Sequence, residues 1–256
     1  MNEKPEKLAE GTLISHLLEL RNRLVRAFAL VFILVLPAAY FRNEIFDLVA
    51  KPLILQLPKG STMITTGVMT PFTTPFKLSI YVALFAAMPF ILYQVWAFVA
   101  PGLYRKEKKF AVPLLLSSII LFYVGVAFAY QFVFPVMFRF FAGATPTGVQ
   151  MMPDIASYLD FALTMFLAFG IAFEVPVAVV LLTLTGLVSV EKLASSRGYV
   201  IIGIFVVAAI LTPPDPISQL LMAIPMWLLY ELGLVMARLM TRPRKNEEKS
   251  ATEPGA

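Results

Sequence analysis

An all-α polytopic membrane protein is the fold class the sequence predicts, with six transmembrane helices in a concave bundle and both termini in the cytoplasm. Three observations predict it. First, 59% of the 256 residues are hydrophobic, the mean hydropathy is +0.80, and only 14% are charged, against about 25% in a soluble domain. Second, apolar runs recur that approach the ~20 residues a helix needs to cross a bilayer. Third, the cations are segregated. Sixteen lysines and arginines lie before or at the very start of the first run, between the second and third, between the fourth and fifth, and after the sixth, and 5 lie in the remaining segments. The positive-inside rule puts the richer side in the cytoplasm.

The elements follow in order. Residues 1–12 are polar and are expected to be mobile. Leu13, Leu17, Leu20 and Leu24 then recur at helical spacing, with Glu19 and Arg23 opposite them as an i,i+4 pair. Residues 14–26 therefore read as an amphipathic helix on the membrane surface, running into span one at 25–41. In the loop 42–77, Asn43 caps a short helix to about Leu48, and Pro52, Pro58, Gly60, Pro71 and Pro75 punctuate the rest. Span two is 78–100 and carries Pro89. Span three is 110–134, closed by Pro135, and a second outer loop covers 138–157. Span four is 158–184. Spans five (199–211) and six (217–236) read as short, since thirteen residues reach only about 20 Å across a ~30 Å core. One transmembrane domain is expected over 1–240, followed by a disordered tail at 241–256.

Span four holds the residue that most needs a reason. Glu174 lies ten residues from Leu184, about 15 Å from that end, where a carboxylate costs at least ~2.5 kcal/mol. Pro176 frees the carbonyl of Ala172 and weakens the same turn. Together with the prolines of the other spans, this suggests the concave bundle. A protonated glutamate bonded to a neighbouring helix is the purely structural alternative. At the outer end of the last hairpin, Thr212, Ser218 and Gln219 either dock a single-span partner helix or cap their own helices.

Composition also excludes several chemistries. There is no cysteine, hence no disulfide, thiolate metal site or cysteine nucleophile. His16 is the only histidine, so no histidine metal cluster forms, and no phosphate-binding P-loop occurs. No cofactor is expected. The net charge of +5 reports topology and lipid contact, with no nucleic-acid partner. Glu174 has no evident catalytic companion, so an enzyme is not expected.

Four motifs then match a family. His16-Leu17-Leu18-Glu19-Leu20-Arg21, the stretch from Leu92 to Pro101 with Leu103, Tyr104 and Glu107, the Phe169-Gly170 and Phe173-Glu174-Val175-Pro176 pair, and Leu211-Thr212-Pro213-Pro214-Asp215 with Ser218, Gln219 and Pro225 stand in register. The chain from about 12 to 238 resembles TatC, the multispanning subunit of the twin-arginine protein translocase. Gly67 departs from the acid expected there in some relatives.

The resemblance implies a bacterial inner-membrane receptor for folded cargo with twin-arginine signal peptides. It also implies an oligomeric complex with single-span TatA-like and TatB-like subunits, driven by the proton-motive force. It further implies signal binding by Glu19, Leu20, Arg21, Phe98 and Glu107, and intramembrane partner contacts by Glu174, Thr212, Asp215, Ser218 and Gln219. The alternative is a proton-coupled small-solute transporter with Glu174 as proton carrier. Such a transporter usually shows an internal repeat, and no convincing self-similarity joins 13–134 to 158–240.

Overall fold

In a computed structural model of the chain, the described residues are 4–57, 61–99, 111–146, 148–212 and 215–241. They are nearly all helical, and their one β-bridge joins Ile64 to Asp154. The chain divides into two compact units, Met1–Leu48 with Gly67–Gly102, and Val49–Thr66 with Leu103–Ala256.

The first unit is a helix pair. α1 spans Lys4–Tyr40 and α3 spans Thr70–Val99, and the two pack along each other. The sequence predicts a surface helix feeding a separate span, but α1 is continuous from Lys4, through residues expected to be mobile. From Thr12 to Leu36 there is no glycine or proline, so nothing interrupts the helical hydrogen bonds. α3 starts earlier than predicted. Pro71 sits at its second residue, where a missing N–H costs nothing because the first helical donors have no partner in any case. Leu78, Ala83 and Ala87 are buried along it.

α2, Arg42–Ile54, begins in the first unit and ends in the second. It runs past the expected end at Leu48, and Val49, Ala50 and Leu53 are buried.

The second unit contains α4 (Ala111–Phe128), a π-helical turn (Ala129–Val133), α5 (Phe134–Ala144), α6 (Ile155–Ala172) and α7 (Val175–Leu184). It continues with α8 (Val190–Ser195), α9 (Arg197–Leu211) and α10 (Pro216–Thr241). Pro135 does not end the third span as predicted. The π turn widens the helix just before it, with the Phe134 N–H bonding to the Ala129 carbonyl, and Pro135 falls in the first turn of α5, where its missing donor is tolerated. The apolar helix therefore runs from Ala111 to Ala144.

Phe134 lies 4.9 Å from Phe166 and 5.4 Å from Phe138, ring centre to ring centre. This cluster packs α5 on α6. Asp154 caps α6 by accepting from the Ser157 N–H, as Asp caps do. It also accepts from the N–H and hydroxyl of Thr66. These hydrogen bonds, led by that of the Ser157 N–H, hold its carboxyl below the usual carboxylate range.

Among the described residues, five helices are long and apolar enough to cross a membrane: Leu17–Tyr40, Thr70–Phe98, Ala111–Ala144, Ile155–Leu184 and Pro216–Met240. The sixth apolar helix, Arg197–Leu211, is shorter, at about 22 Å. The expectation that the last two spans are both short thus holds for α9 alone. α10 has 26 residues, about 39 Å, because neither Pro225 nor Glu231 ends it.

Candidate functional site

Two polar centres stand out, one in each unit. The first is at the end of the α1–α3 pair. Arg23 sits one helical turn after Glu19, so the spacing alone brings their side chains together. Arg23 Nε and Nη2 both donate to Glu19 Oε1, at 3.0 and 2.6 Å. Nη1 donates to Gln94 Oε1 at 3.1 Å, and Nη2 also reaches the Ala97 carbonyl at 3.3 Å. Gln94 is buried, whereas the Glu19 side chain keeps 40% of its exposure. The group has two physical consequences. Gln94 is a polar side chain buried in an apolar helix, and the guanidinium satisfies it. Ala97 lies in the last turn of α3, where carbonyls lack helical partners and the helix dipole favours a cation.

Leu20 and Arg21 are exposed beside this cluster, and Phe98 is half-buried near the end of α3. Arg21 turns to its neighbour Asn22 rather than to Glu19. Glu107 lies outside the described residues, so its relation to Glu19 is not described.

The second centre is Glu174. The chain breaks between α6 and α7 at Phe173-Glu174. Glu174 N–H bonds back to the Ile171 carbonyl, and the Glu174 carbonyl accepts from Ala178. Pro176 has no N–H to give Ala172, which is the weakened turn expected from the sequence. One carboxyl oxygen, Oε1, is buried with no hydrogen-bond partner among the described residues. The buried Ser118 of α4 hydrogen-bonds the carboxyl group.

Ser118 reaches it because α4 and α6 approach closely. A Cβ on Gly125 would overlap the Phe169 carbonyl, and one on Gly170 would overlap the Phe122 ring. Gly170 was singled out in the sequence motif, whereas Ser118 and Gly125 were missed. Ser118 is one of an adjacent serine pair in an apolar helix, and nothing in that pair marks which serine meets Glu174 or ties it to the glycine seven residues on.

The last hairpin's polar residues take individual positions. Thr212 is buried, and its hydroxyl donates to the Ala208 carbonyl at the end of α9. Asp215 Oδ1 accepts from the Ser218 N–H at the start of α10. Gln219 Nε2 donates to the Phe205 carbonyl of α9. Asp215 Oδ2 and Ser218 Oγ are buried without partners among the described residues.

Further along, Arg197 grips Glu231 with both arms at 2.6 and 2.9 Å, and the Tyr230 hydroxyl donates to the Leu193 carbonyl. Glu231 is thus an anchor between α10 and α9, a pairing across 34 residues that periodicity does not reveal. Among the described residues no group of three or more His, Cys, Asp or Glu is placed to hold a metal ion.

Comparison with known proteins gives one answer. The model of the family described as Sec-independent protein translocase protein (TatC) matches residues 15–225. The TatC protein of Azotobacter chroococcum is 53% identical over 99% of this chain and 98% of its own length. That of Escherichia coli K12 is 53% identical over 93% of this chain and 92% of its own. A crystal structure described as the twin arginine translocase receptor TatC superposes with a TM-score of 0.79 at 39% identity. It covers 88% of this chain and 99% of the solved one. The chain therefore belongs to the TatC family, as a multipass membrane subunit of the twin-arginine translocase and not an enzyme.

Proposed function

We propose that this chain is the receptor that captures twin-arginine signal peptides through Glu19, with Leu20, Arg21, Phe98 and Glu107 completing the contact. One observation carries the reading: Glu19 is half-exposed and already engages a guanidinium, so the site has the chemistry an arginine needs. Guanidinium forks match carboxylates in a way that lysine does not. The apolar faces of Leu20 and Phe98 meet the hydrophobic part of the signal. The solved relative is described as a translocase receptor, which supports the same role here. A photocrosslinker at Leu20 or Phe98 is expected to capture a twin-arginine peptide and not its twin-lysine counterpart. Equal capture of both contradicts the reading.

The same proposal places the chain in the bacterial inner membrane with six spans, α9 being the shortest, and both termini in the cytoplasm. The cation segregation supports it. Its partners are single-span TatA-like and TatB-like subunits in an oligomeric complex, and the proton-motive force drives transport. Glu174 and the Thr212, Asp215, Ser218 and Gln219 group receive their helices. The buried, unpartnered oxygens of Glu174, Asp215 and Ser218 support this, since a buried unsatisfied polar group costs about 1–3 kcal/mol. Single cysteines in this cysteine-free chain test the topology. Outside reagents should label 42–69 and 146–153, and labelling near 190 or 240 contradicts it.

A further inference from the structure

The Glu19 site contains an occupant from its own chain. Four N–H directions of Arg23 are used: two on Glu19 Oε1, one on Gln94 Oε1 and one on the Ala97 carbonyl. A guanidinium has five such donors in a rigid plane. The acceptors come from two helices, α1 and α3, and from three residues. They surround a planar fork, and a compact ammonium group on a flexible stem does not reproduce that geometry. Gln94 is 7% exposed, so its side chain is held in place rather than free to follow a ligand.

We propose that Arg23 is a built-in competitor that fills the guanidinium cradle of Glu19, Gln94 and Ala97 until an arginine of the signal displaces it. The inference rests on the reading that Glu19 receives that arginine. Exchange of one guanidinium for another leaves no half-buried acid uncompensated at either end of the step, and such an uncompensated charge would be the costly outcome. The displaced Arg23 has somewhere to go, since its side chain keeps 21% of its exposure and α1 is exposed at Asn22 and Arg26 on either side.

The device sharpens selection. A ligand must outbid a guanidinium already in place, so a lysine or an isolated weak cation fails. Rejection by an internal rival is specificity against the wrong partner rather than extra attraction for the right one. Its cost is a lower apparent affinity, in proportion to the fraction of time the cradle is free.

The test is equilibrium binding of a fluorescent twin-arginine peptide and its twin-lysine counterpart to the full chain in nanodiscs. Arg23→Gln is expected to bind the twin-arginine peptide about tenfold more tightly, and to narrow the gap between the two peptides. Arg23→Lys keeps the charge and loses the fork. It should shift affinity the same way by less, and it decides the matter if Arg23→Gln does not fold. Arg26→Gln removes an equal charge from the same exposed helix, two turns beyond Glu19. An equal gain there assigns the effect to net charge and overturns the proposal. Unchanged or weaker binding in the Arg23 variants also overturns it. Glu19→Ala in the same assay separates the two ideas. If it abolishes binding while the Arg23 variants show no gain, only the competitor fails. If it leaves binding intact, the receptor reading fails, and the competitor with it.

Discussion

Glu19 and Glu174 are the same residue type placed in opposite circumstances. Glu19 stands at a helix-pair end, half-exposed, with a guanidinium on it. Glu174 stands ten residues inside an apolar span, at a helix break, where a serine hydroxyl is the partner described for it and one oxygen is buried without any. The first acid is matched to a cation that can be exchanged. The second is held short of satisfaction within an apolar span. An acid that recognises a soluble, charged peptide needs the first setting. An acid that waits for a polar group on an incoming membrane helix needs the second.

The contrast can be broken at one end alone. Gly125→Ala forces α4 away from α6, because the new methyl meets the Phe169 backbone and no flexible side chain can yield. Overpacking of this kind costs about 1–3 kcal/mol, readable as a lower thermal midpoint of the purified chain. Gly203→Ala meets nothing within 4 Å and should be neutral or stabilising by up to ~1 kcal/mol. Signal-peptide binding should be unaffected by either. Equal destabilisation by both would remove the close-approach account.

Next in size is Glu174 itself. Glu174→Gln keeps a hydrogen-bonding group and should transport nearly normally. Glu174→Leu should lose about tenfold in transport rate, the scale of one strong hydrogen bond. A fully active Glu174→Leu would reduce the site to a structural one. Transport abolished by Glu174→Gln alone would instead favour a proton carrier.

Ser118→Ala sharpens the same comparison with a smaller step. It removes the hydroxyl that bonds Glu174 and should cost a few-fold in transport, about 1 kcal/mol, with peptide binding untouched. Ser118→Thr should restore it if the hydroxyl is what matters.

The smallest effect belongs to Asp154. Its carboxyl is held below the usual range by donors that need it ionised. Its contribution to stability is therefore present at neutral pH and is lost as pH falls through its folded value. Asp154→Ala should lower the melting temperature at pH 7 and lose that difference in acid. A gap that persists at low pH would assign the effect to something other than the charge.

Much of this was legible in the chain. The Glu19–Arg23 pair follows from i,i+4 spacing, and the break at Glu174 follows from Pro176, because both are local. Gln94 was visible only as a polar residue in an apolar run, since its partner is 71 residues away. The Arg197–Glu231 grip was hidden for the same reason. Two helix boundaries were misjudged through proline. Pro71 was read as loop punctuation and Pro135 as a stop, yet each sits where its missing donor is tolerated, the first at a helix start and the second after a π turn.

The central claim is that Glu19 receives an arginine of the signal. Titration of a labelled twin-arginine peptide into the full chain and into Glu19→Ala tests it directly. A charged hydrogen bond contributes roughly 1.5–3 kcal/mol, so affinity should fall by about one to two decades. An unchanged dissociation constant, with Glu19→Ala still folded, would contradict it.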